Sequence, residues 1–187
     1  MFESLRSSKT DEELMRLVQK GDQPALTELY RRYSRKLVRY FHRMLWRDEN
    51  KAQDFLHDLF VKVIEKSGQF NVDKKFSTWI YSAAFNMCKN EYRRQAARQS
   101  TSAGMHQDHA MEELNTDGFE FLEMLEKALE QSEEGDRNLF VMRYELEMPL
   151  ADIALIMECP EGTVKSRLFY LKKKLALNLR AFNPAIN

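Results

Sequence analysis

The sequence predicts an all-α fold of two small helical domains joined by an acidic flexible linker. Almost every patterned stretch repeats its apolar residues with a period near 3.6, and no alternating strand with a hairpin turn occurs. The chain has 187 residues, of which 43% are hydrophobic and 31% are charged. This length and balance are typical of a globular protein with room for two cores.

The first domain is predicted over residues 10–98 and contains four helices. The first helix opens with a capping box formed by Thr10 and Glu13, and it stops at Gly21. A long second helix starts near Pro24 and places leucines and tyrosines on one side and arginines on the others.

The third helix is predicted over residues 48–66 and the fourth over residues 76–98. In the third helix the pattern places Phe55 and Ile64 on the apolar, inward side. The loop 69–75 separates the two helices.

Residues 99–117 are polar and lack a period, so we predict a flexible linker there. Helical patterns resume in residues 118–182, which form the predicted second domain. The expected helices of this domain cover residues 119–131, 134–144, 150–157 and 160–179.

The formal net charge of zero hides a strong asymmetry along the chain. Residues 99–136 hold eleven acidic residues and one basic residue, so the segments on either side are basic. Basic faces attract polyanions, and an acidic strip is able to occupy or screen a basic groove. Nucleic acid is therefore the leading partner class.

The sequence offers neither a membrane span nor a disulfide framework. No stretch approaches the roughly 20 apolar residues that cross a bilayer, and residues 1–11 lack a signal-peptide core. We predict a cytoplasmic protein without membrane insertion.

Cys88 and Cys159 lie in different helical patterns and are interpreted as small hydrophobes, while His106 and His109 lack the second ligand pair of a zinc site.

Residues 150–157 and 160–179 are predicted to form a helix-turn-helix. The apolar residues expected to face each other across it are Ile153, Ala154, Met157, Val164 and Leu168. Glu158 occupies a turn position where glycine is common, and a generic helical hairpin would have similar spacing.

The outer side of the second helix is basic or polar, which suits a major groove. The residues that favour this are Lys165, Ser166, Arg167 and Tyr170.

A second polar face is predicted on the fourth helix of the first domain. Its members recur at helical spacing and are Ser82, Asn86, Lys89, Asn90 and Arg93. Asparagine reads base edges and arginine holds the DNA backbone. Such a face is by default only solvated, but the second basic domain favours DNA binding.

Three ordered motifs resemble bacterial RNA polymerase sigma factors of the extracytoplasmic-function kind, in the sigma-70 family. The motif AQDFLHDLF at Ala52 resembles region 2.2, and FSTWIYSAAFN at Phe76 resembles regions 2.3 to 2.4. The motif GTVKSRL at Gly162 resembles region 4.2. The resemblance implies a region 2 domain and a region 4 domain without the domain that lies between them in larger members.

This resemblance implies that the chain binds core RNA polymerase through the clamp helices of the β′ subunit and through the β flap. The residues it assigns to the clamp helices are Asp54, Phe55, His57 and Asp58. His57 and Asp58 replace the usual glutamine and glutamate, which keeps the polar character. An anti-sigma factor is a further implied partner.

The resemblance also implies two promoter contacts. A pocket for a base flipped from the minus-10 element would involve Asn86 and the loop 70–75, and unstacking a base costs a few kcal/mol. The residues assigned to the minus-10 element are Phe70, Asn71, Lys75, Ser82, Asn86, Lys89, Asn90 and Arg93. Those assigned to the minus-35 element are Lys165, Ser166, Arg167, Phe169, Tyr170 and Lys173, with Tyr170 in place of a frequent arginine.

The main alternative is a stand-alone helix-turn-helix regulator whose N-terminal domain senses a signal or dimerises. An enzyme is disfavoured because the sequence has no Gly-rich phosphate loop, HExxH motif, serine elbow or paired carboxylates. We therefore expect no catalytic residue, cofactor, metal ion or small-molecule substrate.

Overall fold

The computed structural model describes residues 7–101 and 117–179, with side chains over 7–98 and 121–179. Every regular element within these ranges is helical, so the all-α prediction is confirmed. In the N-terminal domain the helices are α1 Asp11–Val18, α2 Gln23–Met44, α3 Glu49–Glu65 and α4 Phe76–Thr101, with a 3-10 turn at Ser67–Gln69. In the C-terminal domain they are α5 Asp117–Glu130, α6 Glu134–Phe140, α7 Leu150–Ile156 and α8 Glu161–Asn178, with a π-helical turn at Val141–Glu145 after α6.

Most of the predicted linker, 99–117, lies outside the described residues. Its first three residues continue α4, and its last residue begins α5. None of the described helices is long and apolar enough to cross a bilayer.

Side-chain caps fix where the first three helices begin. The Thr10 hydroxyl accepts from the Glu13 amide at 3.2 Å, and the Glu13 carboxylate accepts from the Thr10 amide at 2.8 Å. This reciprocal pair confirms the predicted capping box. Asp22 accepts from the Ala25 amide and Asp48 from the Lys51 amide, both at 2.9 Å. Each cap satisfies a backbone donor that the first helical turn leaves unpaired.

The core of the N-terminal domain forms where α2 packs between α1 and α3. Large side chains with no exposed surface fill it, among them Leu14, Leu37, Phe41, Leu59, Phe76 and Ile80. Rings meet edge to face, as Tyr33 and Phe76 do at a centroid distance of 5.3 Å.

The predicted inward position of Ile64 is wrong. Its side chain is 49% exposed, and that of Val61 is 51% exposed, whereas Val63 is buried. At about 100° per residue, positions 61 and 64 fall on the same outer face as His57. Phe55 is half-buried and packs on Phe41 with the ring centroids 5.5 Å apart.

The two domains pack directly against each other, which the sequence did not predict. Helix α7 lies along α4, and α6 contacts α2. Buried residues of both domains, such as Tyr40 and Leu139, belong to one continuous apolar cluster. Helix α8, which packs on α7, is therefore held close to the N-terminal domain.

Candidate nucleic-acid and polymerase interfaces

Helices α7 and α8 have the helix-turn-helix geometry that the sequence predicts. Ile153, Val164 and Leu168 are buried where the two helices cross, and Ala154 is the small residue at the crossing. Glu158 has a φ of 53°, in the left-handed region that glycine prefers. The turn therefore has the backbone that makes glycine common at this position, although glutamate occupies it.

The outer face of α8 presents two large aromatic side chains. Phe169 is 63% exposed and Tyr170 is 67% exposed, and their rings meet edge to face at 5.5 Å. Lys173 is exposed on the next turn. Exposed aromatic rings beside a cation suit contacts with bases, methyl groups and phosphates.

Three residues predicted on this face are already engaged within the domain. Lys165 forms an ion pair with Glu161 at 2.7 Å, and the Ser166 hydroxyl donates to the Thr163 carbonyl at 3.0 Å. Arg167 donates to Asp136 of α6 at 2.9 Å. The guanidinium of Arg167 therefore ties α8 to α6 in this structure.

Gly135 makes room for this contact of Arg167. A Cβ atom at residue 135 would lie 2.4 Å from the Nη2 atom of Arg167, so any larger side chain must displace the guanidinium. No pattern in the sequence indicates this packing, because a glycine within a helix has several possible roles.

The predicted minus-10 face of α4 is partly open. Asn86, Asn90 and Arg93 are exposed, whereas Lys89 is half-buried. The Ser82 hydroxyl donates to the Thr78 carbonyl one turn earlier at 2.9 Å. The two asparagine amides are the groups on this face best placed to reach a base edge.

The loop before α4 is anchored by Phe70, while Asn71 and Lys75 are exposed. Phe70 is 4% exposed, and its ring packs on Phe76 and Trp79 at 5.8 and 5.4 Å. The Asn71 side-chain oxygen accepts from the Asp73 amide at 2.9 Å, which shapes the turn. The Phe70 ring therefore packs against α4 and anchors the loop, and it is not available to stack on a base.

Lys75, at the end of this loop, contacts the other domain. Its ammonium group lies 3.0 Å from both carboxylate oxygens of Asp152 in α7. One predicted minus-10 cation is therefore paired with the first helix of the helix-turn-helix.

The outer face of α3 combines acidic and apolar side chains. Asp54, His57 and Asp58 are exposed there, and Val61 and Ile64 extend the face toward the end of the helix. Sequence reasoning missed Val61, although its spacing from His57 and Asp58 places it on this face. Exposed aliphatic groups beside polar ones are typical of a protein-binding surface.

Neither the cysteines nor the acidic residues form a metal site in the part of the chain that the structure describes. Cys88 is buried and Cys159 half-buried, and both are free thiols. Burial raises the pKa of the Cys88 thiol well above its ordinary value, so it is inert at neutral pH. His106 and His109 lie outside the described residues.

Comparison with family models matches both domains in chain order. The model for sigma-70 region 2 matches residues 29–98, and the model for sigma-70 region 4 matches residues 122–175. Together they span well over half of the chain.

The RNA polymerase sigma-H factor of Pseudomonas aeruginosa is 28% identical over 185 residues, covering 90% of this chain and 93% of that protein. The ECF RNA polymerase sigma-E factor of Escherichia coli is 28% identical over 178 residues, covering 89% and 92%.

Two solved structures have a similar fold. CnrH in complex with the cytosolic domain of CnrY aligns with a TM-score of 0.71 at 20% identity, covering 92% of this chain and 99% of that one. The sigma factor RpoE from Bartonella quintana, in complex with the anti-sigma factor NepR, aligns with a TM-score of 0.64 at 21% identity, covering 82% and 97%.

Proposed function

The chain belongs to the sigma-70 family as an extracytoplasmic-function RNA polymerase sigma factor, and we propose that it reads its promoters with α4 and α8 while α3 holds core polymerase. The observation that carries this proposal is that the chain contains both sigma-70 regions in order, and that each region has its own exposed polar face. Sigma factors are not catalytic, and no cofactor is needed for a mechanism driven by binding.

The α3 face is the proposed contact with the clamp helices of the polymerase β′ subunit. Asp54, His57 and Asp58 supply hydrogen-bonding and charged groups, and Val61 and Ile64 supply apolar area. Burial of aliphatic area gives affinity, and the polar groups fix orientation. Because Phe55 packs on Phe41, its part is to fix the position of α3.

The α4 face is the proposed reader of the minus-10 element. Asn86 and Asn90 donate and accept at a base edge, and Lys89 and Arg93 hold the phosphates on either side. A flipped base would enter beside the loop that Phe70 and Asn71 shape. Binding energy from this pocket offsets the cost of unstacking, so strand opening requires no nucleotide hydrolysis.

The outer face of α8 is the proposed reader of the minus-35 element. Phe169 and Tyr170 supply exposed rings, and Lys173 supplies a phosphate contact. Lys165 and Ser166 lie in the first turns of α8, where a recognition helix approaches base edges. Arg167 would join them only after releasing Asp136.

The proposed partners follow from this function. The β flap is the expected second contact on core polymerase, and the site of action is the cytoplasm, where polymerase and promoters are found. The RpoE structure contains an anti-sigma factor. We propose that an anti-sigma factor also restrains this chain.

The experiment that tests the function adds the purified chain to sigma-free core polymerase and maps transcription starts on genomic fragments. We expect a stable holoenzyme and new discrete starts. The Asn86→Ala variant should keep polymerase affinity but lose open-complex formation, because its proposed partner is a flipped base. Asn178→Ala, which changes an exposed asparagine at the end of α8 outside the proposed faces, is the matched control.

A stand-alone helix-turn-helix regulator gives a different result in the same assay. Such a protein footprints DNA by itself and does not bind core polymerase. That outcome would overturn the proposed promoter-reading mechanism.

A further inference from the structure

The loop 70–75 before α4, here called the minus-10 loop, is held at its start by a side chain next to α1. Gln19 follows the last residue of α1 and donates from its side-chain amide to the carbonyls of Ser67 and Phe70, both at 2.9 Å. Because the peptide group is planar, a held Phe70 carbonyl also fixes the Asn71 amide on the other side of the same bond. Gln19 therefore sets the direction in which the chain enters the loop.

A second side chain, from the first turn of α1, holds the end of the minus-10 loop. The Glu12 carboxylate accepts from the Phe76 amide, the first N–H group of α4, at 2.9 Å. Lys75, the residue before Phe76, has no side-chain acceptor and cannot supply the usual local cap. A carboxylate from α1 therefore satisfies a donor that the first turn of α4 leaves unpaired, and the positive end of the helix dipole favours this charge.

The two contacts come from the same side of one helix. Glu12 and Gln19 are about two helical turns apart, which places them on one face of α1 with about 10 Å between them along the axis. Met15 lies between them and is completely buried, as is Leu14. Because α1 packs on both α2 and α4, the support of the loop is itself anchored in the core of the N-terminal domain.

Between its held ends the minus-10 loop presents polar side chains to solvent. Asn71, Asp73 and Lys74 are exposed, and the Asp73 amide donates to the Asn71 side chain at 2.9 Å. Three hydrogen bonds from Gln19 and Glu12 and the buried Phe70 ring fix the backbone under these side chains. A loop held in one conformation binds its ligand more tightly, because less conformational freedom is lost on binding.

We propose that Glu12 and Gln19 are positioning residues for the flipped-base pocket that Asn86 and the minus-10 loop form. This inference rests on the proposed function and deepens it. Helix α1 lies before residues 29–98, the segment that the sigma-70 region 2 model matches. Neither side chain contacts DNA, and both act through the loop by determining how strongly one base is captured.

The test measures capture of a base with holoenzyme formed from the full chain and core polymerase. The probe is a fluorescent single-stranded oligonucleotide with the non-template sequence of a minus-10 element at which the wild-type holoenzyme initiates. Each nucleotide of the element is replaced in turn by an abasic one, and the loss of affinity, here called the abasic penalty, is measured by anisotropy. The flipped base is the one whose penalty disappears in Asn86→Ala.

The decisive variant is Gln19→Glu, which keeps the shape of the side chain but cannot donate to the two carbonyls. We expect the abasic penalty at the flipped position to fall at least about threefold, in line with the loss of two hydrogen bonds that hold the loop. The penalties at the other positions should stay at their wild-type values. Gln23→Glu makes the same change at an exposed position of α2 and is the matched control.

Conservative variants separate positioning from a general loss of stability. Glu12→Lys should reduce the abasic penalty at the flipped position, and Glu12→Gln, which keeps an accepting oxygen, should restore most of it. Gln19→Lys supplies a donor again and should recover part of the penalty that Gln19→Glu loses. Each penalty is a ratio of two affinities of the same variant, so a general weakening of the fold or of polymerase binding cancels.

The outcomes distinguish this inference from the function on which it rests. A wild-type penalty in Gln19→Glu, or an equal fall in Gln23→Glu, would overturn the positioning role alone. A wild-type holoenzyme without any position whose penalty depends on Asn86 would overturn the proposed base capture, and this inference with it.

Discussion

The Tyr40 hydroxyl in α2 donates a hydrogen bond of 2.5 Å to the side-chain oxygen of Asn138 in α6, and both residues are completely buried between the two domains. The Asn138 amide in turn donates to the Glu134 carbonyl at 3.0 Å. Burial raises the pKa of Tyr40 well above its ordinary value, so the phenol stays a donor at neutral pH. A buried hydrogen-bonded pair of this kind fixes how the domains fit together.

Removal of the Tyr40 hydroxyl should lower the free energy of unfolding of the chain. Tyr40→Phe leaves the Asn138 oxygen buried without a donor, which costs about 1 to 3 kcal/mol. Urea denaturation followed by circular dichroism measures the change in the free energy of unfolding. The double variant Tyr40→Phe with Asn138→Leu removes both polar groups and should recover part of the loss. A Tyr40→Phe variant as stable as the wild type would refute this account of the interface.

Acidification should destabilise the fold through Glu28, whose carboxylate pairs with Arg31 and Arg32 of the same helix, α2. Hydrogen bonds from Arg31 and Arg32, opposed by burial, lower the pKa of Glu28 from 4.5 to about 2. A depressed pKa stabilises the fold above the unfolded value, so this contribution is complete above about pH 4.5 and is lost as the pH falls toward 2. Since Arg31 is exposed and its pairing is screened by solvent, we expect a loss of about 1 kcal/mol.

The variant Glu28→Gln isolates this contribution. It should lower the free energy of unfolding at pH 7 and flatten its pH dependence between pH 4.5 and 2. Denaturant titrations at several pH values provide the measurement. If the variant kept the wild-type slope, another carboxylate would be responsible.

Two glycines in the C-terminal domain should respond differently to alanine. A Cβ atom at residue 162 meets nothing within 4 Å, so Gly162→Ala should stabilise α8 by up to about 1 kcal/mol through helix propensity. At residue 135 the new Cβ displaces the Arg167 guanidinium from Asp136 and offsets that gain. Thermal unfolding should therefore rank Gly162→Ala above Gly135→Ala. The reverse order would show that the Arg167 contact contributes nothing.

The exposed aliphatic residues of α3 should contribute to polymerase affinity. Val61→Ser and Ile64→Ser remove apolar area that is open in the free chain, so the fold should be unaffected. Each substitution should lose about 1 to 1.5 kcal/mol of the binding free energy that burial of the aliphatic side chain contributes. This loss corresponds to an affinity for core polymerase about tenfold weaker. Leu177→Ser, at an equally exposed position on α8, is the control for the general effect of replacing an exposed aliphatic side chain with serine. Unchanged affinity of all three variants would remove Val61 and Ile64 from the interface.

The helices and their starts were predictable because local chemistry determines them. Thr10 and Glu13 form a reciprocal cap, and this depends only on spacing along the chain. The apolar stripe of α8, from Val164 to Leu175, is likewise a matter of period. For these features the nearest few residues supply the whole physical cause.

The interdomain contacts were not predictable from period alone. The spacing of Asn138 says which side of α6 it occupies, but not that Tyr40 lies opposite at a separation of 98 residues. Arg167 matches a DNA-reading motif, yet Asp136 and Gly135 engage it within the domain. Tertiary partners decide these cases. Ile64 is a different case, because the helical period already places it on the outer face with His57, and only its apolar side chain suggested an inward position.

Lys173 on α8 should contribute to DNA binding without contributing to sequence preference. Its side chain is exposed one turn beyond Phe169 and Tyr170, at a distance along the helix that suits a phosphate more than a base edge. Each phosphate contact releases about 0.9 counterions, so Lys173→Ala should reduce the slope of log affinity against log salt by about one.

The measurement compares holoenzyme binding to matched and mismatched minus-35 elements across a range of salt concentrations. Lys173→Ala should weaken binding to all sequences by a similar factor. Lys127→Ala, which removes an exposed lysine of α5 that pairs with Glu123 at 2.6 Å, should leave the slope unchanged. A changed base preference in Lys173→Ala would instead assign this lysine to direct readout, because only a contact with a base edge distinguishes one sequence from another.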